Sequence, residues 1–77
     1  MSTEEQLIQY IAENLVNHPE QVTTARRDTG RALVLELRVN GDDMGRVIGK
    51  NGRVANAMRS LLRVASGSKK RVMLEIE

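Results

Sequence analysis

The residues of this 77-residue chain best suited to chemistry lie in its middle. Gly49 and Gly52 enclose Lys50 and Asn51, and Arg46 and Arg53 stand on either side. Two glycines let the backbone turn sharply and let an anion come close, because no Cβ stands in the way. If a helix begins at Arg53, its free N–H groups and dipole favour negative charge at that point. Lys50 and Arg53 add full positive charges, and Asn51 can adopt a positive φ or donate a hydrogen bond. The pattern describes a phosphate clamp. Gly-x-x-Gly is common, however, and two plainer readings compete with it. Asn51-Gly52 could form a type I′ hairpin turn, but its flanks alternate poorly. Alternatively, the glycines could cap and turn an ordinary helix connector, which would not require lysine at its tip or arginines on both flanks.

Other chemistries lack their residues. A P-loop needs Gly-Lys-Ser/Thr after a longer glycine loop, and a dinucleotide fingerprint needs three glycines directly after a strand; neither spacing occurs. Gly45 falls within an expected short helix, where close packing or local looseness would explain it. Asp42 and Asp43 are neighbours that point apart and serve as helix caps, and Ser60, Ser66 and Ser68 have no histidine partner in any recognisable pattern. His18 is the one histidine and there is no cysteine, so disulfides, thiolate metal sites and a zinc pair are excluded. The acids show no calcium-loop spacing. No enzyme, cofactor or metal is expected.

The net charge of +2 hides an asymmetry. Residues 1–30 hold five acids against Arg26 and Arg27, whereas residues 31–77 hold ten bases against five acids. From Met44 to Arg71 there are eight bases, Arg46, Lys50, Arg53, Arg59, Arg63, Lys69, Lys70 and Arg71, and no acid. Such a segment attracts polyanions, although a solvated helix face beside a basic turn has the same composition. No apolar run approaches a membrane span, and the start of the chain is Glu-rich without a signal core, so a cytoplasmic protein is expected.

The elements that must position the loop follow from periodicity. Leu7, Ile8, Ile11, Ala12 and Leu15 recur at helical spacing over residues 3–17, with Thr3 as N-cap, Gln6 three places on, and Glu4 and Glu5 at the favourable end of the dipole. Strands are expected at about 21–27 and 31–39, joined by Asp28-Thr29-Gly30; Leu33, Leu35, Leu37 and Val39 alternate with Val34, Glu36 and Arg38. After Asn40-Gly41, Asp42 or Asp43 can cap a short helix carrying Met44, Val47 and Ile48. The strongest helix runs from Arg53 to Ala65, with Val54, Ala57, Met58, Leu61, Leu62, Val64 and Ala65 on one side and Arg53, Asn56, Arg59, Ser60 and Arg63 on the other. Ser66-Gly67-Ser68 closes it, and a last strand turns Val72, Leu74 and Ile76 inward and Met73 and Glu75 outward. The result is one α+β domain over 1–77, a two-layer sandwich of order α-β-β-α-α-β. Three helices share one face of a three-stranded mixed sheet whose last strand can run parallel to the second.

Val47-Ile48-Gly49-Lys50-Asn51-Gly52-Arg53, set between two helices in this order, resembles the Ile-Gly-x-x-Gly core of type II KH domains. The whole chain is similar to the stand-alone bacterial KH proteins of the KhpA type, and similar units occur in the transcription factor NusA and the GTPase Era. The resemblance implies an RNA chaperone or regulator that binds single-stranded RNA. The loop Gly49 to Gly52 would meet the backbone, Arg46 and Arg53 would flank it, and Val47 and Ile48 would belong to an apolar groove for about four nucleotides. It also implies self-association or a partner of the KhpB (Jag) type, to which an exposed Met73 or Val34 could contribute. Tyr10 is the one aromatic residue, so no stacking platform is available. A rival reading makes the chain a protein-interaction module whose basic face meets an acidic partner. No membrane or small-molecule substrate is implied.

Overall fold

A computed structural model describes residues 2–67 and 71–77; Ser68, Lys69 and Lys70, part of the expected helix stop and basic run, lie outside the described residues. Helix α1 spans Thr3–Leu15, strands β1 and β2 Thr23–Asp28 and Ala32–Arg38, helices α2 and α3 Met44–Ile48 and Arg53–Ala65, and strand β3 Arg71–Ile76. Single 3₁₀ turns precede β1, α2 and α3 at Pro19–Gln21, Gly41–Asp43 and Lys50–Gly52. The order of helices and strands, and the α+β class, are those expected from the sequence.

The sheet order is β1-β2-β3, with β1 antiparallel and β3 parallel to β2. The register places Thr24, Leu37 and Ile76 in one row, Arg26, Leu35 and Leu74 in the next, and Asp28, Leu33 and Val72 in the third. The helices cover this face. Ile8 and Ala12 of α1, Val47 of α2, and Met58 and Leu62 of α3 close over Leu33, Leu35, Leu37 and Leu74. Between Thr29 and Ala32 the hairpin loop holds two residues, Gly30 and Arg31: Thr29 N–H donates to the Ala32 carbonyl at 3.0 Å. Gly30 has φ +83° and Arg31 no positive φ. Ala32 N–H donates to Thr29 Oγ1 at 3.1 Å, and the positive φ falls on the one loop residue that lacks a Cβ.

Four expectations about α1, the sheet and α3 are corrected. Ser2, not Thr3, caps α1: its Oγ accepts from Glu5 N–H at 3.2 Å, and Glu5 Oε1 accepts from Ser2 N–H at 3.1 Å, a complete capping box. The helix also stops at Leu15, two residues short of the expected end. Val34 is 4% exposed although it faces away from the helices, because Arg27 and Met73 flank it in register across the sheet. Finally, α3 buries Ala55, Met58 and Leu62 with Val54 at their edge, whereas Leu61 and Val64 stay exposed. A three-stranded sheet has room for one stripe of this helix, so the wide apolar side read from the sequence divides into a buried stripe and an exposed one.

Asp43 stands at the N-cap position of α2, as one of the two expected caps, but neither its side chain nor that of Asp42 makes the capping hydrogen bond at the turn into the helix. That role falls to Asn40, whose Oδ1 accepts from Asp42 N–H at 2.8 Å. Asp43 turns inward and is completely buried. Its two carboxylate oxygens accept from Asn17 N–H and His18 N–H, each at 3.1 Å, just beyond the end of α1. This carboxylate therefore ties the exit of the first helix to the entrance of the helix that precedes the glycine loop. Asp43→Ala leaves two backbone donors without their acceptor and should lower unfolding free energy by about 2–3 kcal/mol, with Asp43→Asn intermediate. Exposed Asp42→Ala should stay within about 0.5 kcal/mol; urea denaturation of the three variants checks the order.

Candidate nucleic-acid interface

Helix α2 has five residues, too few to be stable alone. Three contacts hold it. Asp43 anchors its start, Val47 is wholly buried among the sheet leucines, and Gly49 closes its end by donating N–H to the Gly45 carbonyl at 2.9 Å. Val47 is thus a core residue, and its contribution is to seat α2 on the sheet. The expectation that it lines an apolar groove does not match its burial. Ile48 is half-buried at the margin of the core.

The loop is a chain of unusual backbone conformations. Gly49 has φ +77°, Asn51 φ +57° and Gly52 φ +75°. The two glycines are required for different reasons. A Cβ on Gly49 would lie 2.6 Å from Val54 Cγ2 and 2.9 Å from Val54 N, so at this point the start of α3 packs directly on the loop backbone. At Gly52 a Cβ would meet only Asn56 Nδ2, at 3.8 Å; that position needs glycine for its φ and stays open on the outside. Asn51 takes the left-handed conformation that asparagine tolerates better than most residues. Gly52 N–H donates to the Gly49 carbonyl at 3.1 Å and closes the turn. Gly45, by contrast, faces open space, so close packing does not explain it.

Lys50, Asn51 and Arg53 are exposed around this turn, and Arg46 is exposed on the helix before it. Among the described residues neither Lys50 nor Arg53 has an ion-pair partner, and Arg46 Nε lies 3.8 Å from Asp43 Oδ1. No side chain caps α3 and no acid stands in its first turn. Lys50, Arg53 and the amide end of a 13-residue helix therefore converge with no carboxylate among the described residues paired to either side chain, which is an arrangement for a phosphate group. Of the eight expected site residues, seven lie at or near this surface and Val47 lies beneath it.

Two more polar residues lie along α3 beyond the loop. Arg59 Nη1 donates to Asn56 Oδ1 at 3.0 Å, and its Nη2 donates to the Leu74 carbonyl at 3.2 Å. Both had been assigned only to a basic helix face. Their spacing of three on the polar side, turned toward the last strand, is the signal that could have marked them.

The family model for the KH domain of KhpA/KhpB matches residues 5–76. The RNA-binding protein KhpA of Halalkalibacterium halodurans is 48% identical over 71 residues, covering 91% of this chain and 93% of that protein. The proteins of the same name from Listeria monocytogenes and Treponema pallidum are 47% and 46% identical, covering 94% and 99% of this chain and 96% of each relative. Among solved structures, Aquifex aeolicus Era bound to GDP·AlF4⁻ superposes with a TM-score of 0.58 over 95% of this chain and 29% of that one, at 19% identity. That likeness concerns the fold.

The glycine contacts generate a graded prediction. Gly49→Ala combines a strained φ with a backbone clash and should cost about 2–3 kcal/mol, and Gly52→Ala, strained in φ alone, about 1–2 kcal/mol. Gly45→Ala should be neutral or stabilising by up to about 1 kcal/mol. Thermal melts that rank the three in any other order would contradict the packing described.

Proposed function

Because the chain belongs to the KhpA/KhpB KH-domain family, we propose that it binds single-stranded RNA, clamping the phosphate backbone with Gly49, Lys50, Asn51 and Gly52, as a cytoplasmic RNA chaperone or regulator. The observation that carries this reading is the convergence of Lys50 and Arg53, without ion-pair partners among the described residues, on a helix start that no side chain caps. Relatives of nearly the same length bear the name RNA-binding protein KhpA, and a solved Era structure of the same fold is a complex with nucleotides of 16S ribosomal RNA. Arg46 and Arg53 flank the clamp, and Ile48 offers apolar contact to a base beside the loop. Binding to phosphate is electrostatic and does not read sequence by itself. The binding requires no catalysis, metal or cofactor.

A second reading concerns partners. Ala57, Leu61 and Val64 follow one another at helical spacing on α3 outside the core, with Leu61 47% and Val64 82% exposed. An exposed apolar stripe on a well-packed helix fits association with a second copy or with a KH protein of the KhpB (Jag) type. Met73, 41% exposed, lies on the other side of the sheet and is a lesser candidate; Val34 is covered. Sedimentation of the wild type and of Leu61→Lys should show a larger species only in the wild type, whereas identical monomers would remove self-association through this stripe.

Fluorescence anisotropy with a short single-stranded RNA tests the clamp. If three or four phosphates are neutralised, log affinity should fall with log salt at a slope of about −2 to −3. Lys50→Asp with Asn51→Asp should weaken binding more than about tenfold through charge reversal. The double variant should keep its circular dichroism spectrum, since both residues are exposed and aspartate also tolerates the conformation of Asn51. Undiminished affinity in the folded double variant would exclude the loop from RNA contact.

A further inference from the structure

Five asparagines occur in the chain, and two of them, Asn40 and Asn51, are followed by glycine. At such a step an asparagine can lose its amide to its own backbone. The nitrogen of the next residue gives up its proton and attacks Cγ, and a glycine there has no side chain to hold the two atoms apart. A bond forms between that nitrogen and Cγ, the bond from Cγ to Nδ2 breaks, and ammonia leaves with the proton. Water then opens the succinimide ring at one carbonyl or the other, giving aspartate or isoaspartate. No oxidant, cofactor or enzyme takes part.

The fold treats the two steps differently. Asn40 is half-buried and both ends of its amide are held, since Nδ2 donates to Gln21 Oε1 at 2.8 Å and Oδ1 accepts from Asp42 N–H at 2.8 Å. Asn51 is exposed, and its side chain makes no hydrogen bond among the described residues. Its backbone sits at φ +57° and ψ +26°, a region unfavourable for any residue with a Cβ. Gly52 N–H is bonded to the Gly49 carbonyl at 3.1 Å and must be released before its nitrogen can attack. That bond closes an exposed turn, and a Cβ built on Gly52 would meet only Asn56 Nδ2, at 3.8 Å, so this side of the loop has room to open. The tight packing is at Gly49, the opposite end.

The products alter the charge of the clamp itself. Aspartate puts a carboxylate next to Lys50 in the chain and two residues from Arg53, where it competes with phosphate for both cations. Isoaspartate also inserts a methylene into the main chain, in a turn that depends on positive φ at Gly49, Asn51 and Gly52. We propose that Asn51 is a site of spontaneous deamidation, through which the loop turns itself from an RNA clamp into a weakly binding form as the protein ages. The consequence for RNA rests on the RNA-binding reading above; the chemistry at Asn51 does not.

The test holds purified wild type at mildly alkaline pH and follows each asparagine by peptide mass spectrometry, with ion exchange to isolate the deamidated form and fluorescence anisotropy on a short single-stranded RNA. In the folded protein Asn51 should react at least about tenfold faster than Asn40, the factor that two ordinary side-chain hydrogen bonds supply. In urea the two should react alike. Gln21→Ala, which removes one partner of Asn40, should speed reaction at Asn40 and leave Asn51 unchanged. Saturating RNA should slow Asn51 alone. The deamidated form, and Asn51→Asp made directly, should bind RNA at least about threefold more weakly than fresh protein. An Asn51 that reacts no faster than Asn40 in the folded protein would overturn the proposal, as would a deamidated form that binds RNA as tightly as fresh protein. Fresh wild type that binds no RNA would instead overturn the RNA reading, and the change of function proposed here with it.

Discussion

At Gly49 the backbone of the loop touches the backbone and side chain of Val54, and no Cβ fits between them. This contact sets the angle at which α2 gives way to α3. Because the turn is so close, the chain must pass through positive φ at Gly49, Asn51 and Gly52 within four residues. Lys50 and Arg53 are then carried outward while no side chain caps the start of α3. A loop held in one conformation by its own packing loses little freedom when it meets a ligand, so less of the binding energy is spent on ordering it.

The contact would be useless if α2 could drift. Its five residues are fixed at both ends and in the middle by Asp43, Val47 and Gly49. Asp43 links this helix to the chain leaving α1, so even the N-terminal helix contributes to where the loop stands. The sheet completes the frame: β2 lies under the helices through Leu33, Leu35 and Leu37, and β3 places its open edge beside α3, where Arg59 reaches it. The uncovered sheet face is of another character. There Arg27 pairs with Glu36 at 2.8 Å and Arg38 with Glu77 at 2.9 Å, so two of its positive charges are matched. Lys50 and Arg53 contrast with these pairs, since neither has an ion-pair partner among the described residues.

Much of this was legible in the sequence. Alternation in β2 and the helical period of residues 53–65 identified the elements and their order, because burial against one sheet face imposes those periods. The glycines, Lys50 and the flanking arginines marked the loop, since few connectors need that combination. What could not be read were features set by tertiary contact. Periodicity cannot tell that Asp43 turns inward, because the two amides it satisfies lie more than twenty residues away. Nor does a helical wheel show how much of an apolar side a three-stranded sheet can cover, so Leu61 and Val64 were grouped with the core although they are exposed. The purpose of Gly49 was likewise hidden: the residue type suggested an opening for a ligand, and the structure assigns it to internal packing.

The central claim is that RNA meets this protein at the turn between α2 and α3. Its most direct test is an ¹⁵N-¹H correlation titration of the protein with a short single-stranded RNA. The account predicts that the largest shift changes fall on the amides of Gly49 to Arg53, with smaller ones at Ile48, Asn56 and Arg59, and little change at Arg27, Val34 and Glu36. Changes concentrated on that uncovered sheet face, with the loop amides unmoved, would contradict it.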